Sequence, residues 1–221
     1  MIILEANPFS FECDVKACAL VIIDMQRDFI EPGGFGESLG NDVSPLQQIV
    51  PQVERLLEAF RIKELCVVHT RECHKPDLSD CPDSKLNRGS PTMRIGDPGP
   101  MGRILIDGEP GADIIESLTP YANEFVIAKP GKGAFYNTEL DSILKSNAIT
   151  HLVVAGVTTE VCVQSTLREA NDRGYTCLLA TDATASYFPE FKQSTIDMVR
   201  AQGAIVGWTA TVSQIIESLS S

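Results

Sequence analysis

Three side chains of this 221-residue chain have the types and positions that acyl transfer needs: the thiol of Cys162, the carboxylate of Asp24 and the ammonium of Lys129. A thiolate attacks a carbonyl carbon. A neighbouring carboxylate can take the thiol proton and return it to a leaving amine, while a cation favours the thiolate. Cys162 lies in GVTTEVCVQSTLREANDRG, where a helix is expected to begin. Unpaired backbone N–H groups and the positive end of the helix dipole in a first turn stabilise a thiolate, so the thiol pKa is expected to be lowered. Singly, each residue has an ordinary role: a buried cysteine is a small hydrophobe, an aspartate after a strand caps a turn, and a lysine at a strand end is solvated. The case rests on the three together.

What groups them is their address on the elements that must carry them. Short apolar runs alternate with amphipathic stretches: ACALVII (17–23), ELCVVHT (64–70), EFVIAK (124–129), HLVVAG (151–156), YTCLLAT (175–181) and AIVGW (204–208). Such runs read as strands buried on both faces of a parallel sheet. Pro51 opens a helix whose Val53, Leu56, Leu57 and Phe60 share one face; Thr138 caps another through Leu140, Ile143 and Leu144; Phe188–Gln202 and Val212–Leu219 supply two more. The expected fold is α/β, a Rossmann-like open, mainly parallel sheet with helices on both faces, formed by residues 1–221 as one domain. In such sheets ligands gather beyond the carboxyl ends of the strands. Asp24 and Lys129 end strands and Cys162 follows one, so all three fall at that edge. Residues 71–111, dense in Gly and Pro, read as an active-site cover or a subunit-contact loop.

Composition narrows the partners. The formal charge is −12 and the sequence pI is near 4.6, which disfavours phosphate backbones and anionic lipid surfaces. Nucleic acid and membrane are therefore not expected partners. Seven scattered cysteines, an odd number with no export signal at the N-terminus, are expected to be reduced thiols in the cytoplasm. Cys18, Cys66 and Cys177 read as core. Cys73, His74 and Cys81 lack a fourth partner for zinc, and His69 and His151 read as structural.

Three blocks, VIIDMQRDFIEPGG, KPGKGAFYNTEL and GVTTEVCVQSTLREANDRGY, resemble the signature segments of the isochorismatase-like cysteine hydrolases, and the likeness runs from about Ala19 to Ile216. The resemblance implies a catalytic triad of Asp24, Lys129 and Cys162, a cis peptide at Val157–Thr158, and an oxyanion hole from the backbone N–H groups of Thr158 and Cys162. It also implies a homo-oligomer, dimer or tetramer, that works without a cofactor. Nicotinamidases in the family hold a metal with an Asp-x-His pair; here Asp42 has no histidine beside it, so no metal is expected. RECHKPDLSDCPDSK and IGDPGPMGRILIDGEPG are similar to the biuret hydrolases and, less closely, the ureidoacrylate amidohydrolases. That likeness implies a small urea-type amide substrate, with ureidoacrylate, N-carbamoyl amines and nicotinamide as alternatives. Gln202 resembles a substrate-reading glutamine of that branch. Lys132 would bind a substrate carbonyl or hold the glycine turn, and Phe29 and Phe35 would wall the pocket or belong to the core. Two other readings stay open: vinyl-ether hydrolysis of isochorismate, which proceeds in relatives without a nucleophilic cysteine, and a non-catalytic binding protein on the same fold.

Overall fold

A computed structural model of the chain describes residues 1–89 and 91–220. Six strands form one parallel sheet: β1 (Cys18–Ile23), β2 (Cys66–Glu72), β3 (Phe125–Lys129), β4 (His151–Val157), β5 (Thr176–Ala185) and β6 (Trp208–Ala210). Their spatial order is β6-β5-β4-β1-β2-β3. The chain therefore winds outward from β1 in one direction, then reverses through β4. The reversal lies between β1 and β4, paired from Cys18↔His151 to Ile23↔Gly156. Crossovers on opposite sides of such a point leave a crevice at the carboxyl ends of these two strands.

Period-two alternation splits the strand side chains between two cores. Leu20, Ile22, Val67, Val153 and Ala155 pack under α1 (Val50–Ile62) and, at the other end of the chain, Val212–Ser220. Ala19, Val21, Ile23, Val68, Leu152 and Val154 pack against α2 (Leu140–Ser146), α3 (Gln164–Asp172) and α4 (Pro189–Ala204). The final helix is thus α5. Every residue of β1 is buried, which is why that stretch has no polar alternation.

The structure departs from the sequence reading at both ends. Ile2–Leu4 and Phe11–Cys13 pair as an antiparallel ribbon that was not anticipated. Residues 204–207 do not extend as a strand, because Gln202, Gly203 and Ala204 all take positive φ and unwind the end of α4 before β6 begins. The 71–111 segment is not structureless: it carries the short helix Asp83–Leu86, a two-residue ribbon pairing Pro98↔Arg103 and Gly99↔Gly102, and a single helical turn at Pro110–Ala112.

Gly156 shows how tightly the crevice is built. It sits at φ +107° beside Ile23, and a Cβ there would overlap the backbone carbonyl oxygen of Ile23. The pairing of β4 with β5 also shifts register between Val154 and Gly156. Only glycine combines that φ with so close an approach to β1. Gly156→Ala is expected to lower stability by about 3 kcal/mol in urea unfolding. An unfolding midpoint equal to that of the wild type would show that β1 and β4 separate without cost.

Candidate active site

Four strands each deliver one side chain to the carboxyl edge. Lys129 is the last residue of β3, Glu72 the last of β2, Asp24 follows β1, and Cys162 follows β4 through a wide turn, Thr159–Val163, that leads into α3. Pairing of β2 with β3 sets Glu72 directly opposite Lys129. All four are buried, with Asp24 and Lys129 at 0% exposure. Oxygens of Asp24 and Glu72 and the sulfur of Cys162 lie within 4.8 Å of one another, and among the described residues this is the one cluster of three or more acidic, thiol or imidazole donors so gathered.

Lys129 organises the cluster. Its ammonium is 2.7 Å from Asp24 Oδ2 and donates at 3.0 Å each to the carbonyls of Gly131 and Lys132; Glu72 Oε2 is 3.9 Å away. Two of the three N–H donors thus meet carbonyl acceptors, and the contact with Asp24 Oδ2 is a close ion pair. Burial alone would pull the lysine pKa down, but Asp24, Cys162 and Glu72 outweigh it and raise it, so the cation persists. Asp24 takes φ 49°, a left-handed conformation that aspartate tolerates better than most residues. Thr70 holds it there: the hydroxyl donates to Asp24 Oδ1 at 2.6 Å, and the Asp24 amide donates to the Thr70 carbonyl at 3.2 Å.

Glu72 is the site residue that the sequence reading missed. Its Oε2 accepts from the Cys162 thiol at 3.5 Å, while its Oε1 receives Lys132 at 2.7 Å and Lys85 at 3.1 Å. Gln26 pins its backbone, accepting from the Glu72 amide at 2.7 Å and donating to its carbonyl at 3.1 Å. Burial pushes the Glu72 carboxyl up, yet Lys129, Lys132 and Lys85 together bring it down to about 2. It is an ionised acceptor whose basicity is spent on three ammonium groups.

Cys162 lies in the first turn, as expected, but its electrostatics are the reverse of the expected thiolate. Full burial and the carboxylates of Asp24 and Glu72 raise the thiol well above its ordinary range, against the opposing pull of Lys129 and Lys132. Desolvation of a lone anion outweighs a turn dipole here. Cys162 therefore rests as a thiol. Thr166 ties its turn to the lysine loop, donating to the Cys162 carbonyl at 2.7 Å and accepting from the Ala134 amide at 3.0 Å. The Val157–Thr158 peptide is cis, and Thr158 caps the turn.

The remaining expected residues divide. Lys132 reaches the cluster through Glu72, and Phe35 lines the cavity beside it. Phe29 packs partly buried against the core of the opposite sheet face. Gln202 is exposed at the far end of α4, which starts after the carboxyl end of β5 and runs back toward the start of β6. His69 pairs with Glu124 at 2.9 Å, His74 with Asp80 at 3.3 Å, and Asp42 accepts from the Ser44 amide at 2.9 Å, so none of them joins the cluster. All seven cysteines are free thiols.

A parallel α/β sheet with a cysteine, a lysine and two carboxylates at its switch point defines a class of hydrolase site, and comparison with known proteins places it. Residues 18–211 match the isochorismatase domain model. The chain is 34% identical over 196 residues to ureidoacrylate amidohydrolase RutB of Yersinia enterocolitica, an alignment covering 86% of this chain and 85% of that protein. It superposes on a cysteine hydrolase of Pseudomonas syringae pv. phaseolicola with a TM-score of 0.79, at 21% identity and 95% coverage of each chain. It superposes on N-carbamoylsarcosine amidase of Thermoplasma acidophilum with a TM-score of 0.66, at 25% identity, covering 88% of this chain and 96% of that one. The chain belongs to the isochorismatase family. Among its described residues no helix is long and apolar enough to cross a membrane.

Two outcomes follow from the electrostatics. Because Glu72 sits at about 2 in the fold against an ordinary 4.5, the stability it contributes is complete above 4.5 and is lost as pH falls toward 2. Urea midpoints measured down to about pH 3 should therefore fall less steeply in Glu72→Gln than in the wild type. Parallel slopes would mean that the lysines do not hold this carboxylate. The ultraviolet absorbance of thiolate that disappears in Cys162→Ser should be absent at neutral pH and emerge only above about pH 9; a wild-type thiolate signal already present at neutrality would overturn the assignment of a resting thiol.

Proposed function

We propose that this protein is a cysteine-dependent amidohydrolase that cleaves the terminal C–N bond of a small urea-type amide, the class that includes biuret and ureidoacrylate, and releases ammonia. The observation that carries the reading is the convergence of Asp24, Lys129, Glu72 and Cys162 in one buried cluster at the switch point of the sheet. The names of two relatives, a ureidoacrylate amidohydrolase and an N-carbamoylsarcosine amidase, point to the same bond type.

In the proposed reaction the Cys162 sulfur attacks the terminal ureide carbonyl as the thiol proton passes to Asp24. The carbonyl π electrons move onto oxygen, where the backbone N–H groups of Thr158 and Cys162 receive the charge as the oxyanion hole. Asp24 then returns the proton to the terminal nitrogen; the C–N bond breaks, ammonia leaves, and a carbamoyl thioester remains on Cys162. Water activated by Asp24 attacks that carbonyl, the C–S bond breaks, and the thiol is regenerated with a carbamic acid as product. Every proton and electron pair comes from the thiol, the carboxylate, the substrate and water, so the cycle needs no cofactor.

Two carboxylates flank the sulfur, and their surroundings assign different work. Glu72 serves three ammonium groups and is a weak base, suited to orienting the S–H and seating Lys132. Asp24 meets one ammonium and one hydroxyl and is the proton carrier of this reading. Lys129 stays charged throughout, aligning Asp24 and favouring the thiolate as it forms. Lys132 is placed to polarise a substrate carbonyl once it releases Glu72.

The test is ammonia release across biuret, ureidoacrylate, N-carbamoyl amines and nicotinamide. The wild type should turn over ureides, whereas Cys162→Ser, folded as the wild type, and Asp24→Asn, folded with lower stability, should each lose at least about 10³-fold in kcat. Glu72→Gln should lose less than Asp24→Asn. Ureide turnover by Cys162→Ser within a few-fold of the wild type would remove the nucleophile from the mechanism, and no turnover of any ureide by the wild type would favour a binding protein.

A further inference from the structure

A cavity of about 410 Å³ opens beside the cluster, lined by residues between Pro82 and Gly89 and between Met93 and Leu105 of the Gly- and Pro-rich segment and by the loop that follows β3. Its lining has an unusual sign for this chain. Lys85, Arg88, Arg94 and Lys132 contribute four cations, and no aspartate or glutamate side chain lines it, although the whole chain carries a formal charge of −12. Four cations, only two of them paired with a carboxylate, in an acidic protein form a local field that favours an anionic guest.

The four cations are not equivalent. Lys85 and Lys132 already share Glu72, at 3.1 and 2.7 Å, which leads to the sulfur of Cys162 through its other oxygen. They mark the reacting end. Arg88 and Arg94, by contrast, form no ion pair among the described residues. The Arg88 side chain is exposed. Arg94 is partly buried: its Nε is shielded from solvent and has no hydrogen-bond partner, and its guanidinium reaches only Asn87 Oδ1 at 3.5 Å. Asp97 lies close but accepts from the Arg94 backbone amide at 2.9 Å, not from the guanidinium. A buried guanidinium N–H without an acceptor is costly, and the planar fork of arginine matches a carboxylate through two parallel bonds. Phe35, Met93, Ile95, Leu105 and Tyr136 supply an apolar wall to the same cavity.

We propose that the substrate is a ureido acid: a terminal urea group presented to Cys162 and, at the other end of a short carbon chain, a carboxylate received by Arg94 and Arg88. This rests on the amidohydrolase reading of the same site and narrows it, since biuret is neutral and offers these arginines no charge. Arg88 and Arg94 are then the residues that select the substrate, and Lys132 belongs to the reacting end.

The experiment compares a matched pair, 3-ureidopropanoate and its neutral primary amide 3-ureidopropanamide, with biuret as a second neutral compound. The expected result is a kcat/KM for the acid on the order of 30-fold above that for either neutral compound, a margin that shrinks with added salt. In Arg94→Met the ratio of acid to amide should collapse toward unity, and in the exposed Arg88→Gln, which leaves the core untouched, it should fall by several-fold. Equal turnover of acid and amide by the wild type, or an unchanged ratio in both variants, overturns the proposal. Calorimetric binding to the Cys162→Ser protein separates this inference from the catalytic reading. Tight binding of the acid over the amide without hydrolysis in the wild type supports the anion site and sinks the amidohydrolase; hydrolysis without any preference does the opposite.

Discussion

The ammonium of Lys129, at 0% exposure, is the constraint on which the rest of the site depends. An unpaired buried charge costs several kcal/mol, so its three donors must be met wherever the chain places them. Asp24 balances the charge from β1, and the carbonyls of Gly131 and Lys132 accept two of its N–H groups from the loop after β3. That loop cannot satisfy a lysine behind it without folding back over the sheet edge, and in doing so it brings Lys132 to Glu72 and borders the cavity. One cation thus fixes a carboxylate, a loop and one wall of the cavity.

The same charge balance explains why the cysteine rests protonated. Asp24 and Glu72 already supply the negative charge that Lys129 needs, so a thiolate would be a third anion in a dry pocket. Under the proposed mechanism, reactivity is coupled to occupancy. A substrate that draws Lys132 from Glu72, or that brings its carbonyl dipole against the sulfur, changes the balance only when there is something to attack. In the proposed mechanism this arrangement keeps the attacking thiol protonated until substrate arrives, in a chain whose other cysteines are also unpaired.

Much of this was legible in the sequence because it depends on pattern. Five of the six sheet strands announced themselves as apolar runs of strand length, and residues at their carboxyl ends could be placed together without knowing the strand order. Glu72 escapes because the apolar run ELCVVHT ends at Thr70, whereas β2 continues two residues further and pairs Glu72 with Lys129. The signal was present: an acidic residue in register with a strand-end lysine, followed by the same Gly- and Pro-rich segment that covers the site. The place of Gln202 depends on topology that spacing does not show, since a helix that leaves the carboxyl edge runs back toward the amino edge. The thiol pKa failed because burial depth and the second carboxylate are properties of packing, invisible to a reading that saw only a turn and a lysine.

The central claim is that acyl transfer passes through the sulfur of Cys162. Rapid quenching of the wild-type protein during turnover of a ureide, followed by peptide mass mapping, examines it directly. The account predicts a carbamoyl adduct on the peptide containing Cys162 that appears before the second product and is absent in Cys162→Ser. Steady release of ammonia with no adduct at that residue, from a protein whose Cys162 has been blocked by alkylation, would contradict it.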